Sequence, residues 1–335
     1  MIQYFRKVGT ELQHVSSQEA DWTHVYAPLD NSELERLANQ ENIPLDFLID
    51  SLDIDERSRY DREEGIKLIV INTPVLNEDE KSSGALYITA PIGVILSDER
   101  IITISSVENP ILTKFIKGRI KNFNPRDREL FVLKLFEQTV FQFLDGLKKL
   151  NLKRNVIEKE LYNSSRNKEL QELLRIEKSL VYLMNSLSDN DLLKQKMRRT
   201  DFLGIRGRVD YEDLFEDIII DNSQALVMAN VHTNILSGTM EAYASIISNN
   251  LNMVIHRLTM ITIILMVPTL VASFYGMNLT NLPLNDHPAA FYIIILISIL
   301  LGLVLILIFR KNKVCLLYTS PSPRDRTRSR MPSSA

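Results

Sequence analysis

The sequence has little cysteine and none of the common catalytic motifs. Its only cysteine is Cys315, so we exclude disulfides within one chain and metal sites built from several thiolates. It contains no glycine-rich phosphate loop, HExxH motif or nucleophile elbow, and its five histidines lack the spacing of metal ligands. The net charge is −3, which gives no indication of a nucleic-acid partner. These absences argue against an enzyme, including one tethered to a membrane.

Charge is missing altogether from two segments near the C-terminus. Residues 258–275 and 289–309 contain no charged side chain. Each segment is long enough to cross a hydrocarbon core of about 30 Å at about 1.5 Å per residue. A pair of buried core helices is the alternative, but two such runs side by side are rare in soluble domains. The pattern therefore favours a transmembrane hairpin in a lipid bilayer.

The charges that flank these segments predict their orientation. His256 and Arg257 precede the first span, and Arg310 and Lys311 follow the second, whereas the connector 276–288 has no lysine or arginine. By the positive-inside rule, both termini are cytoplasmic and the connector is external. We therefore expect a multi-pass protein of the cell (inner) membrane.

The rest of the chain predicts a domain of strands followed by long helices. Five runs of β-branched and aromatic residues read as strands: 2–8, 22–28, 67–75, 85–91 and 92–97. Residues 97–104 indicate a turn and a further strand. Residues 31–40 indicate a helix capped by Asn31 or Ser32. Apolar residues at helical spacing then predict two long antiparallel helices, 129–161 and 167–197, and a third that runs from near Asp213 into the first span.

The expected fold class is an α+β cytoplasmic domain followed by a long stalk helix and a two-helix transmembrane hairpin. The predicted divisions are a cytoplasmic domain at 1–208, a stalk helix at 209–257, the hairpin at 258–313 and a tail at 314–335. The tail is rich in proline, serine and arginine, which predicts a disordered segment. A remnant of cloning or read-through is favoured, and a functional basic tail is the alternative.

One face of the first span is polar. Its hydroxyl residues are Thr259, Thr262, Thr269 and Ser273. These four fall within a sector of about 80° on a helix of about 100° per residue. Ile255 and Met266 fall in the same sector, and the stripe extended towards the N-terminus reaches Asn252 and Glu241. Hydroxyl groups commonly hold membrane helices together, but the continuation into Asn252 and Glu241 favours a water-filled pore.

A pore lined by this face requires several chains, because two helices cannot enclose a channel. We therefore expect a cyclic homo-oligomer in which each lining residue forms a ring. The hydroxyl and amide residues would form neutral oxygen rings. Ile255 and Met266 would form apolar constrictions that could gate by dewetting.

The first span ends in Tyr275-Gly276-Met277-Asn278, followed by a short connector. Together with the C-terminal hairpin and the long helix before it, this resembles the CorA family of magnesium transporters, whose signature is Gly-Met-Asn at this place. The resemblance covers residues 1 to about 313 and implies a funnel-shaped homopentamer. It assigns ion selectivity to Gly276, Met277 and above all Asn278. The pore-lining positions that it implies are Asn252, Ile255, Leu258, Met266 and Thr269.

The resemblance implies a divalent-cation channel that imports Mg²⁺, with Co²⁺ and Ni²⁺ as further ions. Mg²⁺ gives up its water shell reluctantly, and a ring of Asn278 carboxamides can accept hydrogen bonds from that shell without fixed charge. The connector has a single acidic residue, Asp286, whereas many members carry an acidic Met-Pro-Glu element. The alternatives are the zinc-transporting branch of the same family and a membrane-anchored oligomer that transports nothing.

Regulation by cytoplasmic Mg²⁺ bound between subunits is also implied by the resemblance. Asp217 falls at the level of the stalk helix where family members place a sensing acid, and Asp213 lies one turn before it. Glu78, Asp79 and Glu80 are the candidate partners on a neighbouring subunit. The alternative is that these acids complement the helix dipole or form a solvated face.

Overall fold

A computed structural model describes residues 1–9, 11–77, 84–97, 100–163, 167–277, 283 and 288–311. Its strands are β1 (Ile2–Val8), β2 (Glu11–His14), β3 (Trp22–Tyr26), β4 (Arg59–Glu63), β5 (Ile66–Leu76), β6 (Tyr87–Leu96) and β7 (Ile101–Ser105). Its helices are α1 (Asn31–Glu41), α2 (Leu45–Leu52), α3 (Pro110–Ile116), α4 (Arg128–Asn163), α5 (Asn167–Thr200), α6 (Val209–Tyr275) and α7 (Ala290–Lys311). Contacts divide the chain into a first unit, Met1–Met240, and a second unit, Glu241–Ala335.

The first unit is built on a seven-stranded sheet with the order β2-β1-β3-β7-β6-β5-β4. Strands β3 and β7 are parallel, and the other neighbouring pairs are antiparallel. Side chains alternate across β5: Leu68 and Val70 pack in the cluster that contains α1 and α2, and Ile69 and Ile71 pack in the cluster that contains α3 and α4. Both faces of the sheet are therefore buried under helices, as an α+β domain requires.

Residues 85–97 form one strand, β6, rather than the two strands predicted. The sequence suggests a break because it contains Pro91 and Gly93. Pro91 pairs with Asn72 of β5. The pairing of β6 with β7 stops at the next residue, Ile92. The missing N–H of Pro91 therefore removes no hydrogen bond to β7. At Gly93 a Cβ atom would lie 1.9 Å from Ser51 Oγ. This glycine therefore lets α2 pack directly on the sheet.

Helix α1 is correctly predicted, but its N-cap is wrong. The cap is Asp30 rather than Asn31 or Ser32. Its carboxylate accepts from the N–H of Asn31 at 2.8 Å, and the Asp30 N–H donates to Glu33 Oε2 at 3.2 Å. This capping box satisfies backbone donors at the start of the helix.

The long helices α4 and α5 are antiparallel, as predicted. Successive contacts run in opposite directions along the two helices: Lys153 with Glu172, Gly146 with Leu183, and Phe136 with Lys194. The third long helix is also confirmed. It extends from Val209 to Tyr275 and continues past Pro268.

Lys194 of α5 is fully buried where α5 faces α6. Its ammonium donates to Asn222 Oδ1 at 2.7 Å and lies 5.6 Å from the ring centroid of Phe136. Asn222 is held in turn by bonds to the Leu187 carbonyl and to Asp191 Oδ1. Burial lowers the pKa of Lys194 to about 7, against the opposing effect of the Asp191 carboxylate.

We expect the full-length protein in detergent to become more stable from about pH 7 to about pH 9. Over this window the folded state binds fewer protons at Lys194 than the unfolded state, whose lysine pKa is about 10.4. The unfolding free energy therefore rises by up to about 1.4 kcal/mol per pH unit. Fluorescence of Trp22, the single tryptophan and fully buried, reports the unfolding midpoint.

Lys194→Met should remove this pH dependence, while Lys148→Met, at an exposed lysine of α4, should retain it. If the unfolding free energy of Lys194→Met depends on pH as steeply as that of the wild type, Lys194 is not the cause of the pH dependence and the prediction is wrong.

Candidate functional site

Among the residues that the structure describes, two helices are long and apolar enough to cross a membrane, α6 and α7. The second unit contains the C-terminal part of α6, from Glu241, and all of α7. Helix α6 ends at Tyr275 and α7 begins at Ala290. The spans 258–275 and 289–309 within these helices stay a prediction.

One face of α6 packs towards α7. Within the second unit, the α6 side chains of reduced exposure recur at helical spacing: Met260, Ile264, Val267, Val271 and Tyr275. On α7 the buried residues are Ser298 and Gly302. Both are small, and Ser298 lines the same cavity as Pro268, Ala272 and Tyr275 of α6. Their spacing of four residues places them on one side of α7.

The predicted pore-lining residues lie on a different face of α6. At about 100° per residue, their mean direction is roughly 150° from the face that packs towards α7. All of them are exposed in the single chain: Glu241, Asn252, Ile255, Leu258, Thr259, Thr262, Met266, Thr269 and Ser273. Leu258 and Asn252 lie at the two edges of the set. Helix α6 therefore packs within its own chain on one face and exposes the polar stripe on another face.

The threonines of the stripe have a common hydrogen-bond geometry. Thr259 donates to the Ile255 carbonyl at 2.9 Å, and Thr262 donates to the Leu258 carbonyl at the same distance. Thr269 donates likewise to the Leu265 carbonyl at 2.8 Å. Each hydroxyl proton is therefore used within the helix. The hydroxyl oxygens remain as acceptors on the exposed face.

The end of α6 shows why a glycine follows Tyr275. Gly276 does not adopt a left-handed conformation, because its φ lies outside that region. Its N–H instead donates to the Ala272 and Ser273 carbonyls, and a Cβ atom would lie 3.3 Å from the Ala272 oxygen. Glycine is therefore favoured by close approach of the backbone. Met277 follows, half exposed.

Tyr275 makes a hydrogen bond to Pro283, a described residue of the connector. Its hydroxyl donates to the Pro283 carbonyl at 3.2 Å. The hydrogen bond ties the end of the first span to a residue eight positions later. Asn278, the predicted selectivity residue, lies outside the described residues.

The acidic candidates lie in the first unit. Asp213 and Asp217 are exposed on α6. Asp213 lines a mixed-charge groove beside the ion pair of Arg198 with Glu216. Glu78, Asp79 and Glu80 lie outside the described residues. Within the described part of one chain, no group of three or more histidine, cysteine, aspartate or glutamate side chains is placed to hold a metal ion.

Comparison with known proteins identifies the family. Residues 17–311 match the CorA-like Mg²⁺ transporter proteins. The chain is 27% identical over 293 residues to the cobalt/magnesium transport protein CorA of Methanocaldococcus jannaschii, covering 87% of this chain and 90% of that protein. It is 23% identical over 273 residues to the protein of the same name from Thermotoga maritima, covering 79% and 75%.

The fold agrees with this match. The complete structure of the CorA magnesium transporter from M. jannaschii superposes with a TM-score of 0.76 at 22% identity, covering 92% of this chain and 97% of that one. The superposition confirms the predicted fold class of an α+β domain, a long helix and a C-terminal apolar helix. The matched family consists of membrane transporters, so the expectation that the chain is not an enzyme is also confirmed. The chain belongs to the CorA-like Mg²⁺ transporter family.

Proposed function

We propose that the chain is the subunit of a homo-oligomeric channel that imports Mg²⁺ and is closed by cytoplasmic Mg²⁺. The observation that carries the proposal is the exposed polar stripe on the face of α6 that points away from α7. A helix whose own partner packs on one side can place the other side on a common axis with other copies. Two helices cannot surround that axis, so several copies are required.

The hydroxyl geometry suits an ion that keeps its water shell. Water bound to Mg²⁺ points its hydrogens outwards, so the wall of the pore must supply acceptors. Thr259, Thr262 and Thr269 have each donated their proton to the helix, so their oxygens can accept from those waters. Repetition around the axis would turn each threonine into a neutral ring that orders the hydrated ion.

Apolar residues interrupt the same stripe at two levels. Ile255 is 50% exposed and Met266 is 65% exposed in the single chain. In an oligomer, rings of such side chains exclude water when they narrow, and a hydrated ion then meets a high barrier. We assign the closed state to these rings, with Leu258 beside the lower one.

We assign selectivity to the end of α6, where Gly276 and Met277 lead to Asn278. The helix ends in close backbone contacts, and the Tyr275 bond to Pro283 restrains the connector that follows. A ring of Asn278 carboxamides at this mouth would bind the water shell of the first ion to enter. Resemblance to the family supports a pentamer of such subunits.

The transported ion is Mg²⁺, with Co²⁺ as a second substrate and Ni²⁺ as a further one. The two relatives are named as cobalt/magnesium transport proteins, which favours these ions over the zinc-transporting branch. Arg257, Arg310 and Lys311, which flank the two spans, favour cytoplasmic termini by the positive-inside rule. We therefore propose a location in the cell (inner) membrane.

Regulation is assigned to Asp217 with Asp213, both exposed on α6. A single chain offers no metal cluster among its described residues, so a regulatory ion would need carboxylates from two subunits. The candidate partners on the neighbouring chain are Glu78, Asp79 and Glu80. Bound Mg²⁺ would offset the repulsion of these acids and favour the closed arrangement, and its loss would favour the open one.

Asn278→Ala should lower Mg²⁺ flux into liposomes by about tenfold or more, equivalent to about 1.4 kcal/mol of barrier, while the oligomer still assembles. The reason is the loss of the neutral acceptor ring at the mouth. Asn250→Ala is the matched control, because Asn250 is an exposed α6 asparagine roughly 150° from the stripe. Wild-type flux through Asn278→Ala would contradict the assignment, and absence of flux from the wild-type protein would favour the oligomer that transports nothing.

Glu241→Cys should cross-link between subunits on oxidation or block flux when a charged thiol reagent modifies it. Glu241 lies on the stripe. If the stripe faces a common axis, the Glu241 positions of several subunits surround that axis. The background carries Cys315→Ser, which removes the only native cysteine. Asn250→Cys should show neither effect. If both cysteines behave alike, the stripe does not face the axis.

Asp217→Asn should raise the Mg²⁺ concentration that half-protects the first unit from protease by about tenfold, because a neutral amide binds the ion more weakly. Conduction itself should persist. Asp46→Asn, at an exposed acid of α2, should leave the protection curve unchanged. Superimposable curves for Asp217→Asn and wild type would place the sensor elsewhere and leave the acids as a solvated face.

A further inference from the structure

The first unit contains an open groove of about 680 Å³ that the proposed ion pathway does not use. One wall is apolar and is formed by Val75, Leu76, Ile88 and Val107. The other wall carries the cations Lys114, Lys117 and Arg119 from the end of α3. Its volume lies within the range of about 300–1,000 Å³ that small-molecule sites occupy.

The basic wall belongs to a segment without acids. Residues 109–126 contain no aspartate or glutamate, and their charged residues are Lys114, Lys117, Arg119, Lys121 and Arg126. Arg126 is paired with Asp21 at 3.2 Å. In the described part of the chain, Lys117 and Arg119 make no ion pair. This concentration of positive charge stands out in a protein of net charge −3, and it creates a local field that attracts anions.

Local structure holds the three cations on one wall. Lys114 Nζ donates to Gln142 Oε1 at 3.2 Å, which positions it and leaves further donor capacity. Lys117 follows the last turn of α3, and Gly118 has a φ of +64°. The Arg119 N–H then bonds back to the Lys114 carbonyl at 3.0 Å. The glycine at this left-handed position closes the helix and brings Arg119 beside the two lysines.

We propose that this groove binds a nucleoside polyphosphate. Three cations on one wall match a chain of phosphates, to which arginine and lysine donate charge-assisted hydrogen bonds. The opposite apolar wall matches the flat base and the sugar carbons. Glu108, which also lines the groove, can accept from an amino or hydroxyl group or contact a magnesium ion carried by the phosphates. This binding goes beyond ion conduction and would report the nucleotide state of the cytoplasm to the first unit.

The test measures binding of radiolabelled ATP to the full-length protein in detergent by equilibrium dialysis, with free Mg²⁺ held constant because ATP chelates it. The double variant Lys117→Ala/Arg119→Ala should weaken ATP binding by about tenfold or more, since both lost cations contact phosphate. Lys148→Ala/Lys149→Ala, at two exposed lysines of α4, is the matched control and should bind as the wild type does.

The apolar wall is tested separately. Leu76→Gln, at an exposed side chain, should weaken binding of ATP but not of inorganic tripolyphosphate. Equal binding of ATP by wild type and Lys117→Ala/Arg119→Ala would overturn the proposal. Tripolyphosphate that competes as well as ATP would overturn the nucleoside assignment, and displacement of ATP by lower concentrations of dioctanoyl phosphatidic acid would assign the groove to lipid phosphate instead. None of these readouts depends on ion flux, so the proposal of a nucleotide groove and the proposal of a channel can be disproved independently of each other.

Discussion

Helix α6 must satisfy its own backbone hydrogen bonds across a layer that supplies no water, and the rest of the second unit depends on this constraint. The helix does so from Val209 to Tyr275, with Pro268 as its only internal proline. A continuous helix cannot offer backbone groups to an ion along its length. Any polar surface within the span must therefore come from side chains, and the exposed stripe of hydroxyls and amides is that surface.

Helix α6 uses one face for packing within its own chain and exposes the opposite face. On α7 the buried residues are the small Ser298 and Gly302, and on α6 the side chains of reduced exposure include Met260, Ile264 and Val267. In lipid there is no hydrophobic drive to bring two apolar helices together, so van der Waals packing must supply the attraction. Packing on one side frees the opposite side of α6 from contacts within its own chain. The threonines there can then bond inward to carbonyls and present only acceptors outward.

Sequence patterns predicted these long helices well, because charge-free runs and helical spacing reflect burial directly. They failed where burial is slight or where packing overrides propensity. The edge strands β2 and β4 are mostly exposed, so neither shows the alternation of a strand. Pro91 and Gly93 suggested a break between two strands. Pro91 is tolerated within one strand because the pairing with β7 stops at Ile92. Gly93 is explained by the close approach of Ser51. The face that contains Thr259 and Thr269 was predictable from spacing alone, whereas the role of Gly276 required the distance to a carbonyl.

Neutral oxygens on that face are physically better suited to passing Mg²⁺ than carboxylates would be. At an effective dielectric constant of about 20, a divalent ion about 4 Å from one carboxylate gains about 8 kcal/mol. Several such groups in a ring would hold the ion far longer than a useful transit permits. A hydroxyl or amide that accepts one hydrogen bond from the water shell contributes only about 1 kcal/mol net. Successive weak rings can therefore order the hydrated ion and still release it, which is the condition for conduction through several sites. Because a carboxylate attracts a divalent ion much more strongly than a hydroxyl does, carboxylates suit a site where the ion stays bound. Asp213 and Asp217 would have this role in a regulatory site.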